Sequence, residues 1–123
     1  MILLPVDEGY AFDFLAILEV KSTIIGGSKV NAQLRECEDK LRDQVGDPLF
    51  SDIKKSEEYQ KILEANTDVF HRIERLRGGA DVTAKDIDDL NSVRFVRKKD
   101  LQSKFFNSES LESKTINELS FRK

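Results

Sequence analysis

The sequence predicts an all-α fold, an irregular bundle of about four helices around an apolar N-terminal helix, with an ordered C-terminal segment. Three observations predict it. Apolar residues recur at spacings of three and four along most of the chain. Gly26-Gly27, Gly46 and Gly78-Gly79 punctuate those runs. Val, Ile and Thr are scattered among Lys, Glu, Asp and Leu instead of forming short alternating strands. With 39% hydrophobic and 35% charged residues in 123, the chain has the apolar content for one core, which excludes a disordered polymer. A single helical domain over residues 1–106 is expected, with 107–123 as a docking segment or tail.

Pro5, Asp7 and Glu8 mark the start of the first helix, because a fixed φ and acidic side chains suit the positive end of the helix dipole. From Gly9 to about Thr23 the chain is apolar on most sides, with Asp13, Glu19 and Lys21 as its polar residues. A helix of that kind belongs at the centre of a core or is shared with a second subunit. Tyr10, Phe12, Phe14 and Leu18 are therefore the expected self-association residues. Asp13 must reach the surface or find a buried partner, since an unpaired buried carboxylate is costly.

Ser28 is positioned to cap a second helix, whose narrow stripe is Val30, Leu34, Cys37, Leu41 and Val45. Pro48 to Lys55 reads as a short helix or helical turn. Ser56 caps a longer run bearing Tyr59, Ile62, Leu63, Val69, Phe70, Ile73 and Leu76, with Asn66-Thr67 able to loosen its middle. Arg72, Arg75 and Arg77 suit the negative end of that helix, and Gly78-Gly79 stops it. Thr83 and Asp86 form a weaker version of a capping box before the last helix. Its apolar spacing drifts after Val93, so it is expected to bend near Phe95 or to change packing partner there.

Several function classes follow from the charged residues. Glu64, Asp68 and His71 stand at i, i+4 and i+7 and are the one candidate metal set, although the apolar positions of the same helix place them on its outer side. Carboxylates such as Glu36, Asp39, Asp43, Glu57 and Glu58 are of the type by which an all-α, metal-dependent nucleotide phosphohydrolase holds Mg²⁺, but neighbouring Arg35, Lys40 and Arg42 favour surface ion pairs. Gly26-Gly27-Ser28-Lys29 lacks the G-x-x-x-x-G-K-[ST] spacing of a phosphate loop and reads as a turn.

The net charge is −3, yet residues 94–123 hold eight basic and four acidic side chains, net +4. Arg94, Arg97, Lys98, Lys99 and Lys104, with Phe95, Phe105 and Phe106 between them, are a candidate nucleic-acid patch. The acidic remainder of the chain would repel a long polyanion, and Arg94, Arg97 and Lys98 also read as the wet face of a helix whose Phe and Val residues are buried, covering the acidic second and third segments by charge complementarity. The single cysteine, Cys37, lies on an apolar stripe and reads as core filler in a reducing compartment. Asp7 and Glu8 interrupt the first apolar stretch, so Met1 is read as the true start, without a signal or membrane segment.

No nucleophile, base and orienting group come together, and no cofactor is implied. The resulting expectation is a cytoplasmic interaction or accessory protein that binds protein, including itself as a homodimer, and not an enzyme. A nucleic-acid-binding regulator using 94–104 and the phosphohydrolase are the alternatives.

Overall fold

The computed structural model describes residues 2–79 and 83–106, and those residues form five α-helices packed on one another. They are α1 (Glu8–Ile24), α2 (Ser28–Val45), α3 (Asp47–Lys55), α4 (Glu57–Arg77) and α5 (Ala84–Phe106), with no strand among the described residues. The fold is the expected all-α bundle, and 48–55 is a helix in its own right. The segment 107–123 lies outside the described residues.

Helix α1 is the hub, packed against α2, α4 and α5. Its residues Phe12, Leu15 and Ala16 meet Phe50 and Ile53 of α3, Tyr59 and Ile62 of α4, and Leu101 of α5 in one buried cluster. The Phe12 ring stands 6.3 Å from Tyr59, edge to face, and 6.1 Å from Phe50. Such aromatic contacts add to the area they bury. A Lys54–Glu19 ion pair ties α3 to α1 beside this core.

The helix ends are built by the residues the sequence offers, with two differences. Asp7, and not Pro5, defines the start of α1, because its Oδ1 accepts from Tyr10 N–H at 2.7 Å and leaves Pro5 in an extended arm. Gly27, at φ +106°, precedes Ser28, so Ser28 is the first residue of α2 and supplies no cap. Ser56 and the Thr83–Asp86 pair cap as expected. Ser56 Oγ accepts from Tyr59 N–H at 3.1 Å. Thr83 Oγ1 accepts from Asp86 N–H at 3.2 Å while Asp86 Oδ2 accepts from Thr83 N–H at 3.1 Å, which lowers the Asp86 pKa.

Helix α4 stays continuous through Asn66-Thr67. Asn66 Nδ2 donates to Ile62 O and Thr67 Oγ1 to Leu63 O, so both side chains bond to their own helix and turn their polarity to use. Helix α5 is likewise uninterrupted, and its drifting apolar spacing reflects packing on both α4 and α1.

Helices α1 and α5 approach closely at Gly9. Gly9 N–H donates to Gln102 Oε1 at 2.6 Å, and Gln102 Nε2 donates to Glu8 Oε2 at 2.7 Å. One buried glutamine thus satisfies a free amide of the first turn of α1 and a carboxylate beside it. A Cβ on Gly9 would lie 2.6 Å from Lys98 O, a backbone atom that cannot step aside.

Two substitutions check this core. Gly9→Ala is expected to force α5 off α1 and to lower stability by about 1–3 kcal/mol in urea unfolding. Tyr59 Oη is buried without a hydrogen-bond partner among the described residues. Removing it in Tyr59→Phe is therefore expected to leave stability unchanged or raise it by up to about 1 kcal/mol; a loss greater than that would show a hydroxyl that is satisfied in solution.

Candidate functional site

Helix α1 has apolar residues around nearly its whole circumference, and its neighbours cover only part of it. Phe12, Leu15 and Ala16 are fully buried, whereas Tyr10 remains 45% and Phe14 51% exposed. Of the four expected self-association residues, Phe12 and Leu18 belong to the interior and Tyr10 and Phe14 to the surface. An all-round apolar helix gives no period by which the sequence could have separated them.

Beside Tyr10 and Phe14 runs the extended arm of residues 2–6, in which Ile2, Leu3 and Leu4 are between 74% and 84% exposed. On the other side lies α2. That helix has no buried residue, and its whole stripe from Val30 to Val45 is half-buried against α1 and α3. Arm, α1 and α2 together enclose an open groove of about 700 Å³, with Ala11, Leu18 and Leu41 in its lining and Cys37 on the α2 side. Lys21, Glu36 and Lys40 edge the groove, and Lys40 pairs with Glu36 at 3.0 Å. Lys98 Nζ of α5 sits 5.4 Å from the centre of the Tyr10 ring, a cation–π contact. Burial, with Glu38 next, pushes the Cys37 thiol above its ordinary 9.0.

The adjoining flank of α1 carries Asp13, and there the structure supplies the buried partner that the sequence demands. Asp13 Oδ2 accepts from Arg94 Nη2 of α5 at 2.8 Å, and Asp13 Oδ1 accepts from Asn66 Nδ2 of α4 at 2.8 Å. Arg94 also donates to Asn91 Oδ1 at 3.1 Å. Both carboxylate oxygens are thus bonded inside a three-helix seam. A cleft of about 170 Å³ lies next to Asn66 and Arg94 but is not lined by Asp13. The arrangement fastens helices; a carboxylate closed off in this way has no reacting proton within reach.

Arg94 was read from the sequence as part of a basic patch, and its placement is inward. The other members are dispersed: Arg97 lies 3.9 Å from Asp100, Lys98 faces Tyr10, Lys104 pairs with Glu58 at 2.9 Å, and Lys99 is exposed. The Lys104 hydrogen bond lowers the Glu58 pKa. Arg97 and Lys104 share a shallow cleft with Glu58 and Asp100, so carboxylates are interleaved where phosphates would have to lie.

Glu64, Asp68 and His71 are all on the exposed side of α4, where the His71 ring meets Phe70 edge to face at 6.2 Å. Among the described residues no three carboxylate, histidine or cysteine side chains converge on a metal-sized site. Glu36, Asp39, Glu57 and Glu58 instead pair with Lys40, Arg42, Lys61 and Lys104. Gly26 and Gly27, at φ +73° and +106°, form the turn between α1 and α2. Among the described residues no helix is long and apolar enough to cross a membrane.

No family model, no curated protein and no solved structure matches the chain.

Arg94→Met is expected to strand the Asp13 charge and to cost about 3 kcal/mol, the lower end for a buried pair because the Arg94 side chain keeps 22% exposure. Adding Asp13→Leu should recover most of that loss in the double variant, measured by denaturant unfolding. Additive losses would mean that the pair is not coupled.

Proposed function

We propose that the protein is an interaction protein of the cytoplasm that acts by self-association through the groove face of α1, and not through a catalytic site. The observation that carries this reading is the size and composition of the uncovered face. Ile2, Leu3, Leu4, Val6, Tyr10 and Phe14 form a contiguous apolar band along the arm and α1. From their exposures, covering them would remove on the order of 700–800 Å² per copy, close to the ~800 Å² that each partner contributes to a standard interface.

Its chemistry suits a protein partner. The lining is mostly apolar, with the aromatic Tyr10 and Phe14 and only Lys21, Glu36 and Lys40 charged, a composition that suits an apolar patch with a polar rim. The rim carries both signs, so a second copy meets neither a field of like charge nor a need to bury an unpaired ion. Nucleic-acid binding along 94–104 is disfavoured by Arg94 pointing inward and by Glu58 and Asp100 beside Lys104 and Arg97. Metal-dependent phosphohydrolysis is disfavoured by carboxylates spent on surface ion pairs.

Sedimentation velocity from low to high micromolar concentration is expected to show a monomer–dimer equilibrium. Phe14→Glu should shift it to monomer with the helical circular dichroism kept, because Phe14 is half-exposed in the monomer, and should lower the melting temperature only at concentrations where the wild type is dimeric. A wild-type chain that stays monomeric throughout that range would refute the reading.

A further inference from the structure

We infer that the groove is filled, reciprocally, by the N-terminal arm of a second copy, so that residues 2–6 of each chain lie in the groove between α1 and α2 of the other. The inference rests on the self-association reading and gives it a binding mode. The arm has the properties of a plug. From Ile2 to Val6 it carries no charged side chain, so it enters an apolar site without desolvating an ion. Pro5 fixes its own φ, lacks an N–H and biases Leu4 toward extended backbone, which lowers the entropy lost on docking.

The arm is also held firmly at its root and loosely along its length. Asp7, capping α1 through Tyr10 N–H, is buried. Ile2, Leu3 and Leu4 border their own groove and yet leave most of their surface to water. The described residues of the arm's own copy therefore do not satisfy it, and among them an apolar groove of about 700 Å³ stands open beside it. A chain carrying both plug and socket on one face makes each contact twice across a two-fold axis, and the assembly closes at two copies.

The test uses the full chain in three forms, wild type, the arm variant L3D/L4D and the groove variant F14E, with a chain ending at Phe106 beside them as a control for the C-terminal segment. Cys37 is the only cysteine and lies on the groove wall, so its alkylation reports occupancy directly, read at pH 9 because burial raises its pKa. In the wild type, Cys37 labelling should slow as sedimentation shows dimer forming. L3D/L4D should weaken dimerisation at least about 100-fold, because two leucines of each arm, four in the dimer, are lost, and restore fast labelling. Mixed with F14E, it should form a heterodimer, since the intact arm of F14E fits the intact groove of L3D/L4D.

A dimer that survives L3D/L4D while F14E abolishes it would overturn the arm mechanism and leave self-association standing. A wild type that remains monomeric would overturn both. Cys37 protected at every concentration, and exposed by ending the chain at Phe106, would identify the protein's own C-terminal segment as the occupant and would also overturn the inference.

Discussion

The rotation of α1 about its own axis is the constraint on which the rest of the structure depends, and one carboxylate sets it. Asp13 can be buried only where Asn66 and Arg94 reach both of its oxygens, at the seam of α4 and α5. With about 100° between successive residues, fixing Asp13 there turns Phe12, Leu15 and Ala16 into the cluster with Tyr59 and Leu101 and turns Tyr10 and Phe14 away from it. Apolar burial alone would hold α1 in several rotations, because most of its faces are equally greasy. The polar seam selects one, a role for buried polar groups that is specificity more than stabilisation. Gln102 adds an axial stop, since its bond to Gly9 N–H ends any sliding of α5 along α1.

The same seam explains why a basic run near the end of an acidic chain does not make a basic surface. Arg94 neutralises the one buried carboxylate of α1, Lys104 answers Glu58 of α4, and Lys98 lies over Tyr10. Each ties α5 to an earlier helix. Helix α5, whose own apolar face buries only Leu101 fully among its aliphatic residues, is thereby held by charge in addition to its packing on α4 and α1. Exposed pairs such as Lys104–Glu58 contribute little individually, at most about 1 kcal/mol, but the Asp13–Arg94 pair is shielded and cannot be broken cheaply.

Much of this was legible in the sequence. The glycines divide the helices where the structure does, and Ser56 and Thr83–Asp86 cap where capping chemistry demanded. Asp13 announced its need for a partner by its place in an apolar helix. Its partners were not legible, because Asn66 and Arg94 are 53 and 81 residues away and each had a local reading, as a helix loosener and as a phosphate binder. Nor could the sequence sort Phe12 from Phe14. Periodicity identifies a face only when the opposite face is polar, and in α1 it is not. Gly9 carried no signal either, since only the proximity of Lys98 O reveals why a side chain is excluded.

An incompletely covered α1 also accounts for the character of α2. An 18-residue helix with a stripe of only half-buried side chains and no buried one is poorly held by the described residues of its own chain. It is pinned at its ends, by Ser22 Oγ donating to Asn31 Oδ1 at 2.5 Å and by Arg42, which pairs with Asp47 at 3.0 Å and lies 4.7 Å over the Phe50 ring. Between those pins Cys37 and Leu41 look into the groove shared with Phe14 and Leu18. Whatever fills that groove therefore adds contacts to α1 and α2 at once, and completes the burial of the stripe that the monomer leaves half-made. Association and the stability of α2 are consequently linked: a ligand of the folded state stabilises the part of the fold it touches, and here that part is the helix with the least interior of its own.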